Sequence, residues 1–335
     1  MALPTVQRAI LQPSSTSTAV TLITDHPVPI PDFASNEHLI RVHTTAITNG
    51  ELLWTKNFPL PASYTSTKTL VPCNDVAGTV LLAPPTSPFA PGTQVYARSS
   101  YTRTGCARKF SILTQNEMAR KPTNLSWAEA ACVPMSAETA WQALFVHAGL
   151  EAEKGVGGKG KRVFVTAASG GVGVWMVQLA KWAGAEVVAS CSGGNVEWAR
   201  SLGADVVLDY RKVGFRAWVG EGPPEERRAD VVVDCYGGQV LEDAWWVVKE
   251  GGTVLSIFED PEGRKPEGAP AVGKCLFFVM GSDGEQLGEV TALIEEGVGR
   301  PAVDWTVPFG EFERGFERVR VGGTRGKVVL DLEGE

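Results

Sequence analysis

The stretch Val163-Phe-Val-Thr-Ala-Ala-Ser-Gly-Gly-Val-Gly173, running on into Val174-Trp-Met-Val-Gln-Leu-Ala180, constrains this chain more than any other. An apolar strand passes through a turn of small residues straight into a helix, with Ala168, Gly170 and Gly173 in the three places of a G-x-G-x-x-G pattern. Small residues there let the backbone approach an anion closely, and the unpaired N–H groups and dipole of the helix start bind it. The residues downstream alternate in the same way. Strands are expected at Val187 to Cys191, Val206 to Leu208, Val231 to Cys235, Thr253 to Phe258 and Leu276 to Met280, with helices near 173–183, 196–202 and 241–248 between them. Continuous apolar strands between amphipathic helices mark a parallel sheet buried on both faces.

The first third reads differently. Leu39 to Ala46, Val76 to Leu82 and Thr93 to Ala97 are strands separated by Pro-, Ser- and Thr-rich turns, which predicts an antiparallel, partly open β-domain over residues 1–125. Ser126 followed by Glu129 is a capping box opening an Ala-rich helix and the second domain, 126–299. Gly155-Val-Gly-Gly-Lys-Gly160 is expected as a flexible surface insertion. A helix at about 286–296, strands at Val303 to Pro308 and Lys327 to Leu332, and a helix from Phe309 to Val319 complete the chain, and residues from about 300 to 335 are expected to rejoin the first domain.

Composition narrows the partners. The 335 residues carry a net charge of −7, which argues against affinity gained by neutralising a phosphate backbone, so no nucleic-acid partner is expected. No stretch has the roughly 18 apolar residues of a membrane span. The six cysteines make no close pair, which suits free thiols and a cytoplasmic location.

The end of the second strand of the nucleotide unit bears on which dinucleotide is bound. An NAD-binding unit places a carboxylate about 20 residues after the glycine loop to hold the ribose 2′-hydroxyl. Here the residues are Ala189-Ser-Cys-Ser-Gly-Gly-Asn195. With no carboxylate to repel a 2′-phosphate and with Ser190, Ser192 and Asn195 to bond it, NADPH is the expected cofactor. Ser169, Gly171 and Val172 belong to the same cradle, and Tyr210 with Arg211 and Lys212 closes over the phosphate or forms a solvated turn. Gly237 after the fourth strand falls where the nicotinamide half would lie, and Ile257 and Phe258, which end the fifth strand, are further cofactor-binding candidates.

Taken together, several segments resemble the medium-chain dehydrogenase/reductase superfamily, within it the zinc-independent quinone oxidoreductase and enoyl reductase group. They are Thr48-Asn-Gly-Glu-Leu-Leu-Trp54, Val71-Pro-Cys-Asn-Asp-Val-Ala-Gly78, Ala130-Ala-Cys-Val-Pro-Met-Ser-Ala-Glu-Thr-Ala140, the glycine loop, Ser201-Leu-Gly-Ala-Asp205 with Asp209-Tyr210, and Gly326-Lys-Val-Val-Leu330. The resemblance implies a GroES-like partly open β-barrel domain beside a doubly wound Rossmann domain, with the active site in the cleft between them. It implies hydride transfer from NADPH to a quinone or an α,β-unsaturated carbonyl. On matching positions, Thr139 and Asn49 would approach the nicotinamide and its ribose, and Lys327 would reach the cofactor. The zinc alcohol dehydrogenases of that superfamily carry a Cys and a Gly-His-Glu where this chain has Asn49 and Cys73-Asn74-Asp75, so no metal is expected. A site from Cys73, Asp75 and His43 is the remaining zinc alternative.

Candidate catalytic groups are fewer. Tyr64 is a candidate proton donor, and its Y-x-x-x-K spacing to Lys68 lies on the wrong side of the glycine loop for a short-chain dehydrogenase. Glu51 is either a proton relay or an ion-pair partner, and Trp54 and Phe58 either floor an apolar pocket or pack in the core. Three readings stay open: an NADPH-dependent reductase of small quinones or enones, a trans-acting enoyl reductase on acyl chains of a fatty-acid or polyketide pathway, and an NADPH-binding structural or regulatory protein without turnover. Leu276-Phe-Phe-Val-Met280 as a last sheet strand would pair with a second copy, so a homodimer is expected.

Overall fold

The computed structural model describes residues 3–59 and 68–334. Its strands in chain order are β1 Val6–Leu11, β2 Thr21–Pro27, β3 Glu37–Ile47, β4 Asp75–Leu82, β5 Gln94–Arg98, β6 Phe110–Thr114, β7 Met118–Arg120, β8 Arg162–Val165, β9 Glu186–Cys191, β10 Val206–Asp209, β11 Ala229–Asp234, β12 Val248–Ser256, β13 Lys274–Phe277, β14 Val303–Pro308 and β15 Lys327–Asp331. The chain divides into two compact units, one of residues 1–138, 281–297 and 301–335, the other of residues 139–280 and 298–300.

The first unit is built on a mixed sheet of order β14-β15-β3-β4-β5-β7, with β6 pairing β3 and a separate β1-β2 hairpin. β14 and β15 run parallel to each other, and β15 lies antiparallel to β3. β3 is long enough, at 11 residues, to pair with β15, β4 and β6 at once. Its inward residues Ile40, Val42 and Ile47 join Val76, Val80, Val95, Leu113, Val328 and Leu330 in one apolar core. Burying each such side chain contributes roughly 1.5–3 kcal/mol.

The second unit carries the parallel sheet, order β10-β9-β8-β11-β12-β13. Phe164, Val188, Val232 and Val254 are fully buried, so both faces are covered. The helix Gly171–Trp182 buries Val174 through Ala180 and stops at Gly184, whose φ of 92° only glycine adopts readily. Order in the sheet reverses between β8 and β11, and such a switch point leaves a crevice at the carboxyl ends of the strands.

Two local expectations change. The glycine run 155–160 is packed down: the Gly155 and Gly158 amides donate to the carbonyls of Trp182 and Ala183, and a Cβ on Gly157 would meet the Glu151 carbonyl oxygen at 1.8 Å. Gly157 and Gly158 serve close packing, while Gly155 and Gly160 stand exposed and supply φ values of 70° and 76° for the turns. The apolar run expected as one strand from Leu276 to Met280 pairs only as far as Phe277, and Val279 beyond it is exposed. The capping box is as expected, with Ser126 Oγ accepting from the Glu129 amide and the Glu129 carboxylate accepting from the Ser126 amide. Of the tryptophan pair, Trp245 is buried and donates to the Pro261 carbonyl, while Trp246 carries the Arg216 guanidinium on its face.

Candidate functional site

In the second unit the residues after β8, β9, β11 and β12 come together. The chain leaves β8 through Thr166 and turns at Ala167, whose φ of 48° is unusual for a residue with a side chain. The Ala168 amide donates to the Ser190 carbonyl, which ties the turn to β9. Gly170 starts the helix without any side-chain cap, so its first N–H groups stay available. Gly173 is required by contact: a Cβ there would lie 2.3 Å from the Ala167 carbonyl oxygen and 2.6 Å from Ala168 Cα. Gly170 meets only the Ala167 oxygen, at 3.3 Å, so its smallness keeps space open.

Beside this cradle, Asn195 donates to Ser169 Oγ at 3.1 Å and to Ser192 Oγ at 3.2 Å, joining the loop after β9 to the glycine loop. Ser190 is buried and its hydroxyl has no hydrogen-bond partner among the described residues. Tyr210, at the end of β10, is 45% exposed with Arg211 over its ring. Asp209 lies close behind the loop, since a Cβ on Gly193 would be 2.6 Å from its Oδ2.

Asp234 organises the other half. Its Oδ1 accepts from Thr166 Oγ1 at 2.7 Å, and its Oδ2 accepts from the Gly237 amide at 2.8 Å and Ser256 Oγ at 3.1 Å. Burial pushes this carboxyl upward against those hydrogen bonds. The Ser256 hydroxyl in turn accepts from the Phe258 amide, so one carboxylate fixes the ends of β8, β11 and β12. Gly237, at φ 82°, faces the Phe258 ring, and Tyr236 and Phe258 are left exposed. Ala168, Ser169, Gly170, Gly171, Val172, Gly173, Ser190, Ser192, Asn195, Gly237, Ile257 and Phe258 thus gather at one end of the sheet, with Tyr210 adjacent. Thr139 lies in the helix Pro134–Trp141 and is buried. The Asp234, Thr166 and Ser256 set was missed in the sequence, where an Asp ending a strand before Gly-Gly was the available signal.

In the first unit, Thr48-Asn-Gly-Glu51 turns off the end of β3, with Gly50 at φ 76°. Glu51 is buried, and its two oxygens accept from the Thr48 amide at 3.1 Å and the Cys73 amide at 2.9 Å. Burial, opposed by those N–H groups, pushes its carboxyl up to about 7. Cys73 itself sits at φ 65° with its thiol 3.7 Å from Glu51. Lys327 donates to Thr48 Oγ1 at 2.8 Å and forms a close ion pair with the fully buried Asp75, whose other oxygen accepts from the Met135 amide. Asn49 is exposed on the turn that Glu51 and Lys327 pin from below. Lys327, expected to reach the cofactor, has its ammonium engaged with Asp75 and Thr48, because β15 pairs with β3 at Val328 and Ile47 while β3 pairs with β4 at Ala46 and Asp75, which brings the lysine to Asp75 across the end of β3. Tyr64 lies outside the described residues.

The sequence model of the zinc-binding dehydrogenase family matches residues 202–330. A probable zinc-binding oxidoreductase, mitochondrial, of Arthroderma benhamiae is 46% identical over 319 residues, 94% of each chain. A chloroplast envelope quinone oxidoreductase homolog of Arabidopsis thaliana is 30% identical over 91% of this chain and 92% of its own. Among solved structures, the quinone oxidoreductase from Coxiella burnetii superposes with a TM-score of 0.80 at 22% identity, covering 98% of this chain and all of its own.

The donor set here does not fit the zinc in the family's name. Burial pushes the Cys73 thiol well up, Asp75 is engaged by Lys327, and His43 bonds Thr79 and Glu333 while stacking on Trp127. No group of three His, Cys, Asp or Glu side chains able to hold a metal occurs among the described residues. A dinucleotide does fit, since the Gly173 contact makes the cradle and Ser190 offers an unpartnered hydroxyl beside it. With a relative this similar over nearly its whole length, and with the mixed and parallel sheets both in place, the chain is an oxidoreductase that belongs to the medium-chain dehydrogenase/reductase superfamily.

Proposed function

We propose that the chain is an NADPH-dependent, zinc-independent reductase that delivers hydride to a quinone or an α,β-unsaturated carbonyl. The observation that carries the cofactor reading is the loop after β9, where Ser192 and Asn195 are linked to the glycine loop and Ser190 keeps an unpartnered hydroxyl. No carboxylate belongs to that loop to hold a free 2′-hydroxyl. When bound, the nicotinamide supplies the hydride. The chain's own part is positioning: the glycine cradle holds the pyrophosphate, Asp234 fixes the loops at the nicotinamide end, and Glu51 and Lys327 hold the turn that presents Asn49.

The chemistry follows from the donor set. A ketone or alcohol exchanges hydride readily when a Lewis acid polarises its oxygen, and the residues around Cys73 and Asp75 do not suit zinc. A conjugated acceptor spreads the arriving charge over its own oxygen and needs mainly hydrogen-bond donors. Asp209, close behind Gly193, favours NADH as the second reading, because a carboxylate near the 2′ position repels phosphate. The exposed side of β13, an edge strand, supports pairing with a second copy, which light scattering reads directly as a species of twice the monomer mass. The free cysteines suit a reducing compartment such as the cytosol, and fractionation of the tagged chain tests that against the mitochondrial location in the Arthroderma relative's name.

The deciding experiment is steady-state cofactor oxidation with a chelator present, over matched quinone, small-enone and acyl-thioester enone acceptors, with NADPH and NADH in parallel. Turnover of quinones or small enones with NADPH preferred, unaffected by chelator, is expected. Turnover confined to thioesters selects the trans-acting enoyl reductase, and cofactor binding without turnover of any acceptor selects the non-catalytic reading.

A further inference from the structure

The cation Lys68 sits in an environment that nothing in the reaction outlined above uses. Its ammonium donates to the Tyr101 carbonyl and lies 4.1 Å from the centroid of the Tyr101 ring, a cation–π distance. The Tyr101 hydroxyl donates to the Phe58 carbonyl at 2.9 Å, and Trp54 meets the Tyr101 ring edge-on at 6.0 Å. Leu53 and Phe58, on the same short helical stretch as Trp54, are 37% and 41% exposed. An aromatic corner with an apolar, solvent-facing rim therefore surrounds one half-buried ammonium.

That ammonium has no carboxylate within ion-pair distance among the described residues. The charges nearby are either spent or of the wrong sign. Glu117 pairs with Arg103, and Asp75 pairs with Lys327. Arg98, buried to 7% exposure, adds a second positive charge that acts on Lys68. Its Nη1 donates to Ser282 Oγ, and its Nε has no partner among the described residues. Of the two acids that act on Arg98, Glu138 is held toward its neutral form by burial and Asp75 is already paired with Lys327. Burial and Arg98 together lower the Lys68 ammonium to about 8, with no acid opposing them. Burying a charge without a counter-ion is costly, and an arriving anion removes that cost.

We propose that Lys68, backed by Arg98 and walled by Trp54, Phe58 and Tyr101, binds the carboxylate of a small organic anion whose flat apolar body lies on the aromatic corner. The inference goes beyond the reductase reading and does not depend on it, because every residue of the site belongs to the first unit.

Binding of trans-cinnamate to the full chain, followed by calorimetry without cofactor, tests this, with neutral trans-cinnamamide as the matched control. Cinnamate is expected to bind at least about tenfold more tightly than the amide, K68Q to lose about that factor for cinnamate alone, and K68R to keep most of it. Equal affinity for acid and amide, no measurable cinnamate binding, or full cinnamate affinity in K68Q overturns the proposal. The acid-to-amide ratio in the unmodified chain decides the matter even where K68Q does not fold. NADPH oxidation by the unmodified chain with a neutral enone reports on the reductase reading separately: turnover without cinnamate binding removes only the anion site, and Lys68-dependent binding without any turnover removes only the reductase.

Discussion

Glu51 offers a sharp test of the first unit's energetics. Its carboxyl moves from 4.5 in the unfolded chain to about 7 in the folded one, chiefly because it is buried. The sign follows from proton counting. Between those two values the folded chain holds a proton that the unfolded chain has released, so stability falls as pH rises from about 4.5 to about 7 and levels off above that. Below 4.5 both states are protonated and the term vanishes. Integrated from pH 5 to pH 8, the loss is about 2.5 kcal/mol, within a ceiling of about 3.4 kcal/mol set by the full shift.

E51Q removes this dependence. A glutamine accepts at only one oxygen, so one of the Thr48 and Cys73 amides now faces an NH2 group. That mismatch costs about 1–3 kcal/mol at every pH. E51Q is therefore expected to be the less stable protein at pH 5 and to draw level with, or pass, the parent by pH 8. Urea unfolding of both proteins across that range, followed by circular dichroism and tryptophan fluorescence, gives the difference curve. Subtracting one protein from the other cancels every other titrating group, Glu138 included. A difference that stays constant within about 0.5 kcal/mol from pH 5 to pH 8 refutes the assignment of a buried, proton-holding Glu51.

Three further outcomes are expected. K327M leaves the fully buried Asp75 carboxyl without its partner, which costs about 3–5 kcal/mol and is partly recovered in K327M/D75N, both read from thermal unfolding. G173A, which in an open helix would gain about 1 kcal/mol, instead forces its Cβ against Ala167 and Ala168, so a loss of about 1–3 kcal/mol and weaker dinucleotide binding are expected from melting and fluorescence titration. N195D places a carboxylate in the loop after β9 and breaks the amide's donation to Ser169 and Ser192, so the KM for NADPH should rise by about tenfold or more while that for NADH changes little.

What the sequence made legible, and what it did not, divides along a physical line. The glycine loop could be read because its requirement is local: Gly173 must be small for a backbone five to six residues away, and strand and helix periodicity flank it directly. The parallel strands could be read because β8, β9, β11 and the last residues of β12, 253–256, are largely apolar, whereas the first half of β12, with Lys249 and Glu250, carries no such signal. Long-range pairings carry no such signature. β1 and β2 begin and end among Pro, Ser and Thr, and β6 and β7 are short, so they escape a reading by alternation and acquire strand geometry only from their partners. Gly157 and Gly158 look like part of a linker until Glu151 and Ala185 close on them.

Side-chain roles follow the same line. Lys327 reads as a free cation near the end of the chain, yet 252 residues separate it from the Asp75 that neutralises it. Glu51 is four residues from β3, but what decides its proton affinity is the Cys73 amide and the burial around it, neither visible nearby in sequence. Lys68 is the converse, because a lysine in a Ser- and Thr-rich stretch is ordinarily solvated, and only the placement of Tyr101 and Arg98 leaves its charge half-buried and unanswered. A titratable residue whose counter-charge must come from far along the chain is therefore where sequence reading fails first. By the same reasoning, a charge with no such partner in the folded protein is the place to look for a ligand that supplies one.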